Sequence, residues 1–134
     1  MVTSNQSQTM IAAGESRARD IGVPVNIAVL DAGAHLKAFS RMDSAVIGSI
    51  DVAISKARTA VLFGIPSEAV WDYCKPGAPA PGLERSNGGL ATFAGGIPLF
   101  DSKGVLIGAV GVSGGAVPQD LDIAKAAAAA LRSA

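Results

Sequence analysis

Several shortages in this chain each remove a class of protein. There is one cysteine, Cys74, so no internal disulfide can form and the redox compartment stays open. There is one histidine, His35, so a zinc site built from spaced Cys and His pairs is excluded. Eleven basic residues balance eleven acidic ones, leaving a net charge of zero and no electrostatic footprint for nucleic acid. No stretch reaches the roughly 20 apolar residues of a membrane span. The opening M-V-T-S-N-Q-S-Q-T-M lacks the basic start and apolar run of a signal peptide. A cytoplasmic protein is the expectation.

What remains is apolar and small. Hydrophobic residues make up 49% of the chain and charged ones only 16%, which argues against disorder. A length of 134 residues suits one domain over 1–134, large enough for a core without staples. The low charge suggests that another subunit covers part of the surface. Abundant Ala and Gly favour close approach of helices to a sheet.

The chain is organised around Ala91–Gly115. Ile97–Phe100 runs in, Asp101-Ser102-Lys103-Gly104 turns, and Val105–Val112 runs out, a hairpin pattern. Gly108 and Gly111 lie inside the second strand. Glycine weakens a strand, so two of them imply that a helix, a ligand or another chain approaches the backbone. Upstream, Ser4 to Gly22 has helical periodicity, ended by Gly22 and Pro24. Val25–Leu30 and His35–Met42 form a second hairpin about the turn Asp31–Ala34. Asp43 or Ser44 is placed to cap a helix from about Ala45 to Phe63, with Ile47, Ile50, Ile54, Ala57 and Val61 as its apolar stripe. Ser67–Tyr73 allows a short helix. Lys75–Gly89 holds three of the seven prolines and reads as an irregular, functional loop. Leu90–Ala94 reads as a strand, and Pro118–Arg132 as a closing helix. The order α-β-β-α-(α)-β-β(-β)-α, with hairpin-linked strands, gives an α+β fold: an antiparallel sheet flanked by helices.

The segments V-N-I-A-V-L-D-A-G-A-H-L, F-S-R-M-D-S-A, S-I-D-V-A-I-S-K-A-R-T-A, G-G-I-P-L and G-A-V-G-V-S-G-G-x-x-x-Q-D resemble the GlcG/HbpS-like family, which includes the C-terminal domain of PduO-type proteins. The resemblance covers nearly the whole chain in order. It implies a profilin-like fold and homo-oligomers. It also implies binding of haem or corrinoid-related ligands, and in some members haem degradation.

The residues themselves offer several chemistries. His35 follows a turn; an ordinary exposed turn residue is the simpler reading, and its imidazole could instead ligate iron or move a proton. Arg41 offers a planar fork for a carboxylate, or an ion pair to Asp43. Asp43 is either a ligand contact or the helix cap. Lys56 could be a buried lysine suited to proton transfer or anion anchoring, with Thr59 beside it, or part of a solvated helix face. It lacks a carboxylate four residues before it, since that position is Val52. Backbone amides at Asn87, Gly88, Gly95 and Gly96 could hold an anion, or merely make turns. Ser113 precedes two glycines and a helix, without the acid–histidine set of a hydrolase. Cys74 reads as a buried or incidental thiol.

Three functions are consistent with these residues. The first is a cytoplasmic homo-oligomer holding haem, a corrinoid or a similar anionic molecule near a subunit interface. The second is a small isomerase, lyase or hydrolase acting on an organic acid, with Arg41 as clamp and Lys56 or His35 moving the proton. The third is a ligand-free structural or regulatory oligomer.

Overall fold

The structure, a computed structural model, describes residues 1–133. Helix α1 spans Ser4–Ile21. Thr3 caps it: its hydroxyl accepts the Gln6 amide while the Gln6 side chain accepts the Thr3 amide. Gly22, at φ 71°, closes the helix as the sequence predicts. Strands β1 (Asn26–Asp31) and β2 (Leu36–Arg41) form the first hairpin. Helices α2 (Ser49–Phe63) and α3 (Ser67–Cys74) follow, then a 3-10 segment at Leu83–Gly88. Strands β3 (Gly96–Phe100) and β4 (Leu106–Ser113) form the second hairpin. Helix α4 (Val117–Ala129) and a 3-10 turn, Ala130–Ser133, end the described chain.

The sheet order is β2-β1-β4-β3, and every pairing is antiparallel. The two hairpins therefore meet along β1 and β4. Pro98 sits on β3, an edge strand, where its missing N–H breaks no ladder. One face of the sheet carries Ile27, Val29, Val110 and Val112, packed with Met10 and Ala18 of α1 and Ile123 and Ala127 of α4. The other carries Ala28, Leu30 and Ala109, packed with Ala53, Ala57 and Ala60 of α2. An α+β fold with helices on both faces is what the hairpin order predicts.

The glycines on β4 answer a question posed by the sequence. A methyl at Gly111 would overlap the Ala53 carbonyl oxygen and lie 2.6 Å from the Ala57 nitrogen. At Gly108 it would overlap the Leu30 carbonyl and meet Val2. Both glycines serve internal packing.

Four sequence expectations fail in whole or in part. Helix α2 begins at Ser49, not Ala45, and neither Asp43 nor Ser44 caps it: Gly48 is the N-cap. Ser44 adopts φ 70°, a left-handed conformation incompatible with the extended backbone of an N-cap. The expected stripe holds only in part: Ala57 and Val61 are buried with Ile54 beside them, but Ile47 lies before the helix and is 76% exposed. Contact with glycine-bearing β4 favours the small face of Ala53, Ala57 and Ala60, because bulkier side chains would hold the helix away. Finally, Leu90–Ala94 is no strand, so the optional fifth strand is absent among the described residues. The Ala91 amide is held by the Thr59 hydroxyl, in place of a ladder partner. The closing helix also tightens to 3-10 geometry at Ala130, before the expected end at Arg132.

Candidate functional site

Lys56 lies on the sheet-facing side of α2 and is fully buried, which overturns the solvated-face reading. Its ammonium donates to the Val112 carbonyl at 2.9 Å and to Asp120 Oδ2 at 2.9 Å. It also sits 5.0 Å from the centre of the Phe93 ring. Burial pushes the Lys56 pKa below the ordinary lysine value, while the Asp120 hydrogen bond and charge partly restore it. Asp120 belongs to the first turn of α4, and its Oδ1 accepts the Gly115 amide. This ion pair thus ties α2, on one face of the sheet, to α4, on the other.

Two glycines make room for this passage. Gly95 has φ 128°, and a methyl there would lie 2.8 Å from Lys56 Nζ and 2.6 Å from the Val112 carbonyl oxygen. A methyl on Gly96 would overlap the Lys56 carbonyl. Nearby, buried Ser67 donates to the Phe93 carbonyl at 2.7 Å and accepts the Gly96 amide at 2.9 Å. Ser67→Ala would leave a buried N–H without its partner. The expected cost is about 1–3 kcal/mol, read from urea unfolding. A loss near zero would show that water or a backbone shift replaces the hydroxyl.

The expected site residues divide into groups. Lys56, Gly95 and Gly96 are in contact, and Ser113 follows the carbonyl that Lys56 engages. Ser113 is itself buried, so an exposed nucleophile is not present there. Thr59 donates to Ser55 and accepts from Ala91; both bonds are internal. The Asn87 carbonyl accepts Arg58 at 2.6 Å, with Asn87 and Gly88 exposed at positive φ. His35 stands apart. Its side chain is 82% exposed, 3.5 Å from Asp31. The His35 and Gly33 amides hold the Asp31 carboxyl below its ordinary range. His35 adjoins the Asp31 end of β1, whereas Ser113 and Arg41 pair with Asn26 at the other end. Five residues of strand separate these ends, roughly 17 Å. Cys74 is buried, and burial raises its thiol pKa, so it is a structural thiol.

Arg41 lies at the end of β2, two strands from Ser113, or roughly 10 Å across the sheet. It forms no ion pair with Asp43 among the described residues. With Glu15, Arg19, Met42 and Asp43 it lines an open cavity of about 380 Å³. Arg19 comes from the last turn of α1. Lys56 does not line this cavity. Nothing near Arg41 in the chain marks Arg19 or Glu15 as its neighbours, because only the packing of α1 on the sheet joins them. Asp120 was visible only as a first-turn acid suited to the helix dipole.

The donor set fits a carboxylate-bearing group better than a metal ion. Two guanidinium groups surround one concavity, while no cluster of three or more His, Cys, Asp and Glu is placed to hold a metal among the described residues. Met42, also in that lining, packs against the core on the α1 side of the sheet. No helix among the described residues is long and apolar enough to cross a membrane.

Comparison with known proteins adds to this geometry. The model of the family described as "haem degrading protein HbpS-like" matches residues 2–129. A 15.0 kDa protein from the dhaT–dhaS intergenic region of Citrobacter freundii is 38% identical over 94% of this chain and 89% of its own length. The corrinoid adenosyltransferase PduO of Salmonella typhimurium is 40% identical over 89% of this chain, which spans only 35% of that longer protein. A solved PduOC:haem complex superposes with a TM-score of 0.91, at 37% identity, over 96% of this chain and 94% of that one.

Proposed function

We propose, from the fact that this chain belongs to the HbpS-like family of haem-degrading proteins, that it binds haem or a corrinoid-related ligand as a cytoplasmic homo-oligomer. The ligand sits at a subunit interface, in the cavity of Arg19 and Arg41. The observation that carries this reading is the meeting of those two guanidinium groups in one concavity. A haem edge presents carboxylates, which a planar guanidinium binds in bidentate fashion. Asp43 and Glu15 share that lining, and Glu15 accepts a hydrogen bond from the Ser40 hydroxyl at 3.0 Å. Exposed Val46 and Ile47, just beyond Asp43, offer apolar surface to a second copy or to the ligand. Haem, when bound, would supply redox chemistry at its iron.

An enzyme acting on a small organic acid would use the same clamp. Lys56 supports that reading poorly, because Asp120 and Val112 already engage its ammonium and it does not line the Arg19–Arg41 cavity. His35 as an iron ligand requires a second copy of the chain, given its distance along the sheet.

Haem titration followed in the Soret band tests the proposal. The wild-type chain should show a saturable change. Arg19→Ala and Arg41→Ala should each weaken binding by about tenfold to a hundredfold, since each removes charge-assisted hydrogen bonds. No Soret change, or unchanged affinity in both variants, would remove this cavity as the site. Under the same titration, an unchanged spectrum for His35→Ala rules out its imidazole as ligand. Analytical ultracentrifugation reads the oligomer independently.

A further inference from the structure

A larger cavity, of about 660 Å³, lies at the other end of α1. Gln6, Phe100, Asp101, Ser102, Ile107, Leu131 and Arg132 line it. Three parts of the chain converge there: the first turn of α1, the β3–β4 turn and the final 3-10 turn. The Val2 amide bonds the Ile107 carbonyl and anchors the N-terminus to β4. Gln6 and Arg19 lie roughly 20 Å apart along α1, so this cavity is separate from the arginine pair described above.

Its chemistry is asymmetric. Phe100, Ile107 and Leu131 supply apolar surface, and Phe100 is 45% exposed. Polar groups on the rim are mostly donors. The Gln6 side-chain oxygen is used by the Thr3 amide, which leaves its Nε2 hydrogens free. Arg132 makes no ion pair among the described residues. Asp101 is the one acid, and its Oδ1 is engaged by the Lys103 and Val105 amides within the turn. The N-terminal end of an 18-residue helix adds partial positive charge, and no acidic residue in its first turn offsets it. The volume lies within the range of small-molecule sites.

We propose that this cavity is a second binding site, which takes a small amphipathic monocarboxylate. The ring or short acyl chain rests on Phe100, Ile107 and Leu131. The carboxylate meets the Arg132 guanidinium and the Gln6 amide, with the Ser102 hydroxyl at the rim. The site stands independently of haem binding, because it shares no lining residue with the Arg19–Arg41 cavity.

Benzoate is a suitable probe, with benzamide as its uncharged counterpart, in an amide and side-chain NMR titration of the full chain. Benzoate should shift the signals of Gln6, Phe100 to Ser102, Ile107 and Arg132 in a saturable way. Benzamide, and benzoate with Arg132→Gln, should bind at least about tenfold more weakly, the loss of one charge-assisted contact. Phe100→Ala should weaken benzoate while leaving the haem titration unchanged. Equal binding of benzamide and benzoate would overturn the carboxylate role. So would unchanged affinity in Arg132→Gln, or shifts confined to the Arg41 region. Since Arg132 and Phe100 are both exposed, neither variant should compromise folding.

Discussion

Lys56→Met lowers the free energy of unfolding by about 3–5 kcal/mol, because it leaves the Asp120 carboxylate buried without its cation. For a domain of this length that corresponds to a fall in Tm of roughly 10–20 °C. The loss has three physical parts. The Val112 carbonyl loses its donor, the Asp120 charge loses its partner, and the Phe93 ring loses its cation. The Asp120 charge dominates, since a carboxylate left unpaired in a dry site is costly. The double variant Lys56→Met/Asp120→Leu should recover most of the loss, because a buried pair replaced by apolar side chains is close to neutral. Urea unfolding of the wild type, Lys56→Met, Asp120→Leu and the double variant closes the cycle. A single-variant loss below about 1 kcal/mol, or no recovery in the double variant, would show that the pair does not hold the two helical layers together.

Gly96→Ala destabilises by about 3 kcal/mol, at the upper end of ordinary overpacking. The added methyl would overlap the Lys56 carbonyl and stand 2.7 Å from its carbon and 3.0 Å from Ser67 Oγ. Two of these three atoms belong to the backbone of α2, which cannot rotate away as a side chain would. Relief requires α2 to move off the sheet, and that movement also disturbs the Lys56–Asp120 pair. Gly48→Ala is the control. Nothing lies within 4 Å of its added methyl and its φ is −58°, so its effect should stay within about 1 kcal/mol. Thermal unfolding of both variants compares them directly. Equal stability would mean that α2 slides freely over β3, contrary to the packing described here.

Both predictions concern features that the sequence displayed without explaining. G-G-I-P-L announces a strand start, yet Gly95 and Gly96 are there because a lysine side chain and a helix backbone pass against them. Lys56 was visible as a lysine with no carboxylate one turn earlier. Its partner, Asp120, is 64 residues away and reaches it past the end of the sheet. Arg41 was legible as a basic residue at a strand end, whereas its sharing a cavity with Arg19 was not.

Local chemistry determined a large part of this protein. The capping Thr3 and Gln6, the stop at Gly22, both hairpin turns and the α+β order follow from neighbours close in the chain, whose preferences act whatever the rest does. The tertiary structure alone decided where α2 starts, which of its faces is buried, that Leu90–Ala94 is tied by the Thr59 hydroxyl instead of a ladder, and which charges meet. These outcomes depend on contacts between segments far apart in sequence. A small-residue face wins over an isoleucine stripe only when a glycine strand lies beneath it, and a buried lysine is tolerable only when a distant helix brings its carboxylate.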